Sequence, residues 1–162
     1  MARLLHRRGF APEDLQLEVS EDVVMADIER TVDVLQGLRA IGVQIALDDF
    51  GAGRTALGHL KELQIDVLKI DRSFVMRLSQ DDRDAAIVHS LIDLGRRMGL
   101  HVVAEGVDRP ETWTLLAQWG CDEIQGHLLG APMAAGELTD WLRALAQRPD
   151  LPAPQLWAAV RR

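Results

Sequence analysis

The segment Ile45-Ala46-Leu47-Asp48-Asp49-Phe50-Gly51-Ala52-Gly53 restricts the possible folds more than any other part of the chain. A short apolar run ends abruptly in two adjacent carboxylates, followed by a loop with two glycines. Continuous apolar runs of this length are the pattern of strands in parallel sheets, where helices cover the faces. Unpaired charges are costly at the end of such a strand. Divalent cations meet that cost, because carboxylate oxygens bind them well.

The rest of the chain repeats the pattern of apolar strand, polar end and helix. Strands are predicted at Leu15–Val19, Val43–Leu47, Asp66–Ile70, His101–Glu105 and Asp122–Gln125, with a sixth around Leu128–Leu129. Asp27 is placed to cap a helix from Ile28 to about Ile41, with Ile28, Val32, Leu35 and Leu38 on one face and Gly42 at its end. A short helix is expected near Ala56–Leu63. Asp82–Met98 has helical spacing through Ile87, Leu91, Leu94 and Met98, and Gly99 stops it. Pro110 suits a helix start before Trp113, Leu116 and Ala117. A last helix is expected over Leu138–Leu145, and the tail 147–162 with Pro149, Pro152 and Pro154 reads as a loose end with a short helix near Trp157.

Strands alternating with helices imply a parallel sheet. In doubly wound sheets and in (β/α)₈ barrels alike, function gathers at the C-terminal ends of the strands. Here those ends carry Glu18, Asp48 with Asp49, Lys69, Glu105 and Gln125. One polar residue at a strand end is more often a cap or a surface charge. Successive strands that all end in chemically capable residues point to a shared site.

Composition narrows the alternatives. The 162 residues suffice for one domain, and 48% hydrophobic with 27% charged residues is ordinary for a globular protein. A net charge of −7 argues against binding long nucleic acids, but not against a small anionic ligand held through metal ions. Cys121 is alone, which excludes an internal disulfide and a cysteine zinc site and fits a cytoplasmic setting. No apolar stretch is long enough to cross a bilayer, and the segment 1–10 lacks the apolar core of a signal peptide. The histidines His6, His59, His89, His101 and His127 show no metal-ligand spacing. Asp49-Phe50-Gly51 is similar to a kinase metal motif, but no glycine-rich phosphate loop or His-Arg-Asp loop accompanies it.

At this point a resemblance becomes specific. The segments Leu17-Glu18-Val19-Ser20-Glu21, Ala46-Leu47-Asp48-Asp49-Phe50-Gly51-Ala52-Gly53, Leu68-Lys69-Ile70-Asp71-Arg72-Ser73-Phe74, Val102-Val103-Ala104-Glu105-Gly106-Val107 and Ile124-Gln125-Gly126 resemble the EAL domain family in order and spacing. That family comprises bacterial phosphodiesterases that cut cyclic di-GMP to the linear dinucleotide. The resemblance implies a TIM-type (β/α) barrel, N-terminally truncated to about six of its eight βα units. It covers most of a domain spanning 1–146.

The resemblance also implies roles. Glu18, Asp48 and Asp49 match metal ligands for two Mg²⁺ or Mn²⁺ ions. Lys69 matches the lysine that orients the attacking water, and Glu105 the glutamate beside metals and water. Gln125 matches a glutamine near that cluster. Glu21 matches a glutamate that steadies the loop after the aspartate pair. Asp108 stands where the family has glutamate, keeping the charge with a shorter reach. A lysine beside bound cations would lose basicity. Asp71 and Arg72 read as a structural pair or loop anchor.

The departures matter as well. The Glu-Ala-Leu strand and the second strand, with its metal-binding asparagine, are not in this sequence. Arg54 and Ala56 alter the loop after the aspartate pair. An open barrel presents unpaired edges, so association with another copy or with a missing N-terminal segment is expected. The sequence supports a phosphodiesterase needing those strands, a module that binds cyclic di-GMP or a protein without cutting, or a structural remnant.

Overall fold

The computed structural model describes residues 2–51 and 58–145. Within them the chain forms a parallel five-stranded sheet in the order β1-β2-β3-β4-β5. The strands are β1 (Gln16–Ser20), β2 (Gln44–Phe50), β3 (Val67–Ile70), β4 (His101–Glu105) and β5 (Glu123–Gln125). The helices are α1 (Ala2–Arg8), α2 (Glu21–Ala26), α3 (Ile28–Arg39), α4 (Leu60–Leu63), α5 (Arg72–Val75), α6 (Asp82–Met98), α7 (Pro110–Gln118) and α8 (Ala135–Leu145).

Local sequence sets the helix ends. Asp27 caps α3 by accepting a hydrogen bond from Arg30 N at 3.2 Å. Asp81 caps α6 through Arg83 N at 2.8 Å, and Gly99 ends that helix with φ at +73°, a conformation that glycine adopts without strain. Pro110 opens α7, where its missing N–H costs nothing.

The sheet's two faces differ. Ile45 and Leu47 of β2 and Leu68 of β3 pack with Leu35 and Leu63 in one buried cluster, on the face that α3 covers. Ile70, Val102 and Ala104 pack with Val88, Ile92 and Leu116 in a second, under α6 and α7. The opposite face carries a small apolar patch of Ala46, Val67 and Val103. Register places Glu18 beside Ala46, Lys69 beside Val103 and Gln125 beside Glu105. Since side chains alternate along a strand, Glu18, Asp48, Lys69, Glu105 and Gln125 all fall on the face of that patch, towards the strands' C-terminal ends.

The sixth strand expected at Leu128–Leu129 does not form, so the described sheet has five strands. Leu128 N bonds Val107 O and Leu129 N bonds Gly126 O, which makes the segment a turn. Two apolar residues between glycines define no strand period. β2 runs farther than expected, through both aspartates to Phe50. The last helix begins earlier, at Ala135. The tail 147–162 and most of the loop carrying Arg54 and Ala56 lie outside the described residues.

Candidate metal centre

Strict alternation would send the neighbours Asp48 and Asp49 to opposite faces of the sheet. The chain avoids this with an irregularity between Leu47 and Phe50, where the β2–β3 register shifts. Asp49 takes φ at +57°, a left-handed conformation uncommon outside glycine. The bulge turns both carboxylates to one side. Oxygens of Asp48, Asp49 and Glu105 then lie within 4.8 Å of one another. Backbone strain of this kind costs on the order of 1–3 kcal/mol and persists where surrounding structure holds it.

Lys69 sits at the centre of the same face and is only 4% exposed. Its Nζ lies 2.6 Å from Glu105 Oε1, 2.8 Å from Glu18 Oε1 and 3.2 Å from Asp48 Oδ1. Burial alone would lower the Lys69 pKa, but its hydrogen bonds to Glu105, Glu18 and Asp48 outweigh that and raise it. The loss of basicity expected from sequence presumes bound cations; with carboxylates alone around it the shift runs the other way.

One ammonium cannot neutralise this many acids. Burial raises the Glu105 pKa, and the charges of Asp48 and Glu18 add to it against the pull of Lys69. Asp49 is the exposed member, yet its pKa is also raised, by lost hydration and by the carboxylates of Asp48 and Asp71. Asp48 Oδ1 is buried and shares Lys69 Nζ, 3.2 Å away, with two other carboxylates. A cluster of hard oxygens with more negative charge than one ammonium can balance fits a divalent cation.

The remaining sequence-predicted residues surround this cluster. Glu21, buried at the start of α2, accepts a hydrogen bond from Gly51 N at 3.0 Å and so ties down the start of the loop after the aspartates. Gln125 ends β5 next to Glu105 and lines a cavity of about 590 Å³ with Arg72, Asp108 and Trp141. Asp108 lies outside the carboxylate cluster and accepts from His127 N at 3.3 Å.

Asp71 is the residue that sequence reasoning undervalued. It is 8% exposed and caps α5 through Ser73 N at 2.8 Å, which makes it the loop anchor expected, yet its carboxylate also faces Asp49. The available signal was its position two residues beyond Lys69, which alternation places on the same face.

Comparison with known proteins gives this geometry a family. The model of the EAL domain matches residues 1–132. The chain is 44% identical over 134 residues to the bifunctional diguanylate cyclase/cyclic di-GMP phosphodiesterase MucR of Pseudomonas aeruginosa, covering 83% of this chain and 20% of that protein. Among solved structures, the EAL domain of Mycobacterium smegmatis DcpA superposes with a TM-score of 0.81 at 41% identity, over 88% of this chain and 64% of that one. A manganese/cyclic di-GMP complex of Klebsiella pneumoniae BlrP1 matches with a TM-score of 0.77 at 34% identity, over 81% of this chain and 33% of that one. The chain thus spans about a fifth of the MucR sequence and less than two thirds of the DcpA domain. It belongs to the EAL domain family.

Proposed function

We propose that this chain carries the metal-holding and water-orienting part of a cyclic di-GMP phosphodiesterase. The convergence of Asp48, Asp49 and Glu105 oxygens around a buried Lys69, at the C-terminal ends of parallel strands, carries this reading. Asp48, Asp49 and Glu105 would hold Mg²⁺ or Mn²⁺, with Glu18 beside them. Bound ions of this kind supply an acidified water and relieve charge on phosphoryl oxygens.

The chain's own side chains do the rest. Lys69 directs its three ammonium hydrogens to Glu105, Glu18 and Asp48, and one drawn away from Asp48 or Glu105 would be free to hold and orient the attacking water. Glu105, 2.6 Å from Lys69 Nζ, is placed to take the proton that water gives up. Glu21 ties down Gly51, at the start of the loop that follows the aspartates. Gln125 and Asp108 border the adjoining cavity and support the bound dinucleotide.

A second reading has its own observation. Mg²⁺ demands near-octahedral coordination by oxygens, about six per ion. The carboxylates clustered here do not supply that for two ions, and β1 and β5 are open edges of the described sheet. Water, substrate phosphate or strands from another polypeptide segment or copy would complete the set. Without them the site binds cyclic di-GMP without cutting it.

Incubation of the size-selected chain with cyclic di-GMP and Mn²⁺, beside Asp48→Asn, tests the reading. Linear dinucleotide from the unaltered chain alone supports hydrolysis. No product, with saturable cyclic di-GMP binding, would leave the binding module. Neither product nor binding would refute both.

A further inference from the structure

Lys69 does more in this geometry than face a water. It is buried, the apolar patch of Ala46, Val67 and Val103 lies on its face of the sheet, and its Nζ has carboxylates on three sides. Of those three, Asp48 and Glu105 belong to the oxygen cluster that would take a metal. Ammonium and metal therefore draw on the same negative charge.

We propose that Lys69 is the resident counter-cation of this site and sets its metal affinity by competing with the incoming ion for Asp48 and Glu105. The proposal rests on the metal-centre reading above and adds a role for Lys69 before any substrate arrives. The metal-free chain keeps its carboxylates together because Lys69 holds them. Asp48 and Glu105 could serve a divalent ion only by giving up part of their hold on the Lys69 ammonium, whose like charge would oppose that ion. Occupancy then frees hydrogens of Lys69 towards the ligand side, which couples metal uptake to the residue's readiness to hold water. Glu18, bonded to Lys69 at 2.8 Å, is the third carboxylate on the ammonium.

The test is Mn²⁺ binding by calorimetry and electron paramagnetic resonance, with no substrate present. Lys69→Met keeps the length of the side chain and removes its charge, and it should bind Mn²⁺ at least about tenfold more tightly, as expected for deleting a unit charge beside a divalent ion in a partly buried site. Lys69→Arg, which keeps the charge, should stay near the unaltered chain. Equal or weaker binding by Lys69→Met overturns the competition and leaves the metal centre standing. Absence of Mn²⁺ binding in every form overturns both.

If Lys69→Met does not fold, the unaltered chain still decides the matter. Lys61 and Lys69 are its lysines, so lysine-selective ¹⁵N labelling yields separable Nζ signals. Saturation with Mg²⁺ should move the Lys69 signal and leave that of Lys61. An unmoved Lys69 signal contradicts the proposal.

Discussion

The two ends of this sheet both carry charged residues, and they use them in opposite ways. At the N-terminal end each charge has a local structural task. Asp66 accepts a hydrogen bond from Ile45 N at 2.9 Å and pairs with Arg39, also at 2.9 Å. Asp122 does the same for Val102 N at 2.9 Å, and His101 pairs with Glu123 at 3.2 Å. Asp66 and Asp122 each stand just before a strand and cap a backbone group of the strand before it. At the C-terminal end the charges converge on one another instead. Several acids share a single lysine, and Asp49 is held in a left-handed conformation. At one end the charges are dispersed and paired with backbone; at the other they are gathered against their mutual repulsion.

That contrast is most easily broken through turnover. In a context where hydrolysis is observed, Lys69→Ala should reduce cyclic di-GMP turnover by at least about 100-fold while leaving ligand binding measurable. Undiminished turnover in a steady-state assay would remove Lys69 from the chemistry. The corresponding change at the other end, Asp122→Ala, strands the N–H of fully buried Val102. It should cost about 1–3 kcal/mol in chemical denaturation, with activity per folded molecule unchanged.

Stability changes sharpen the comparison further. Mn²⁺ at concentrations well above its Kd should raise the melting temperature of the unaltered chain, because it binds only the folded state; no shift at millimolar Mn²⁺ would argue against a preformed site. Without metal, Asp49→Asn should raise stability, since neighbouring carboxylates disfavour its charge. The Asp49 pKa is raised on folding, so this gain is present at neutral pH and shrinks as the pH falls through that pKa. A destabilised Asp49→Asn chain at neutral pH would show that Asp49 is not under repulsion.

The smallest effect is expected at His101. Its pKa is raised by the hydrogen bond to Glu123, which outweighs burial, with help from the charge of Asp122. A raised folded-state pKa gives stability that is fully present below the ordinary histidine value near 6.5 and is lost as pH rises through the folded value. The pair is partly exposed, so its contribution is under about 1 kcal/mol. His101→Gln should lower the melting temperature at pH 5.5 and have little effect at pH 8.5; a loss independent of pH would assign His101 a packing role alone.

Much of this was legible in the residues. β2, β3 and β4 are apolar runs with polar ends, and α6 has its cap, its stripe and its glycine stop in sequence. Glu18, Asp48, Lys69, Glu105 and Gln125 could be placed at one end of the sheet because they occupy equivalent ends of successive strands; the register adds that they share a face. Three things were not legible. The bulge that turns Asp49 depends on how β2 pairs with β3, a non-local fact. Asp71 read as a structural pair or loop anchor, and only the fold shows it capping α5 and facing Asp49. The sixth strand failed because Leu128 and Leu129 are fixed by hydrogen bonds to Val107 and Gly126, partners that no local pattern announces.

The most direct test of a metal centre confined to one end of the sheet is a Mn²⁺ titration of three proteins, read by electron paramagnetic resonance: the unaltered chain, Asp49→Asn and Asp66→Asn. Asp66 is an aspartate of the same sheet at its opposite end. The account predicts saturable binding by the unaltered chain and by Asp66→Asn, and its loss in Asp49→Asn. Equal binding by all three would mean that the ion goes elsewhere and that the convergence of Asp48, Asp49 and Glu105 is not a metal site.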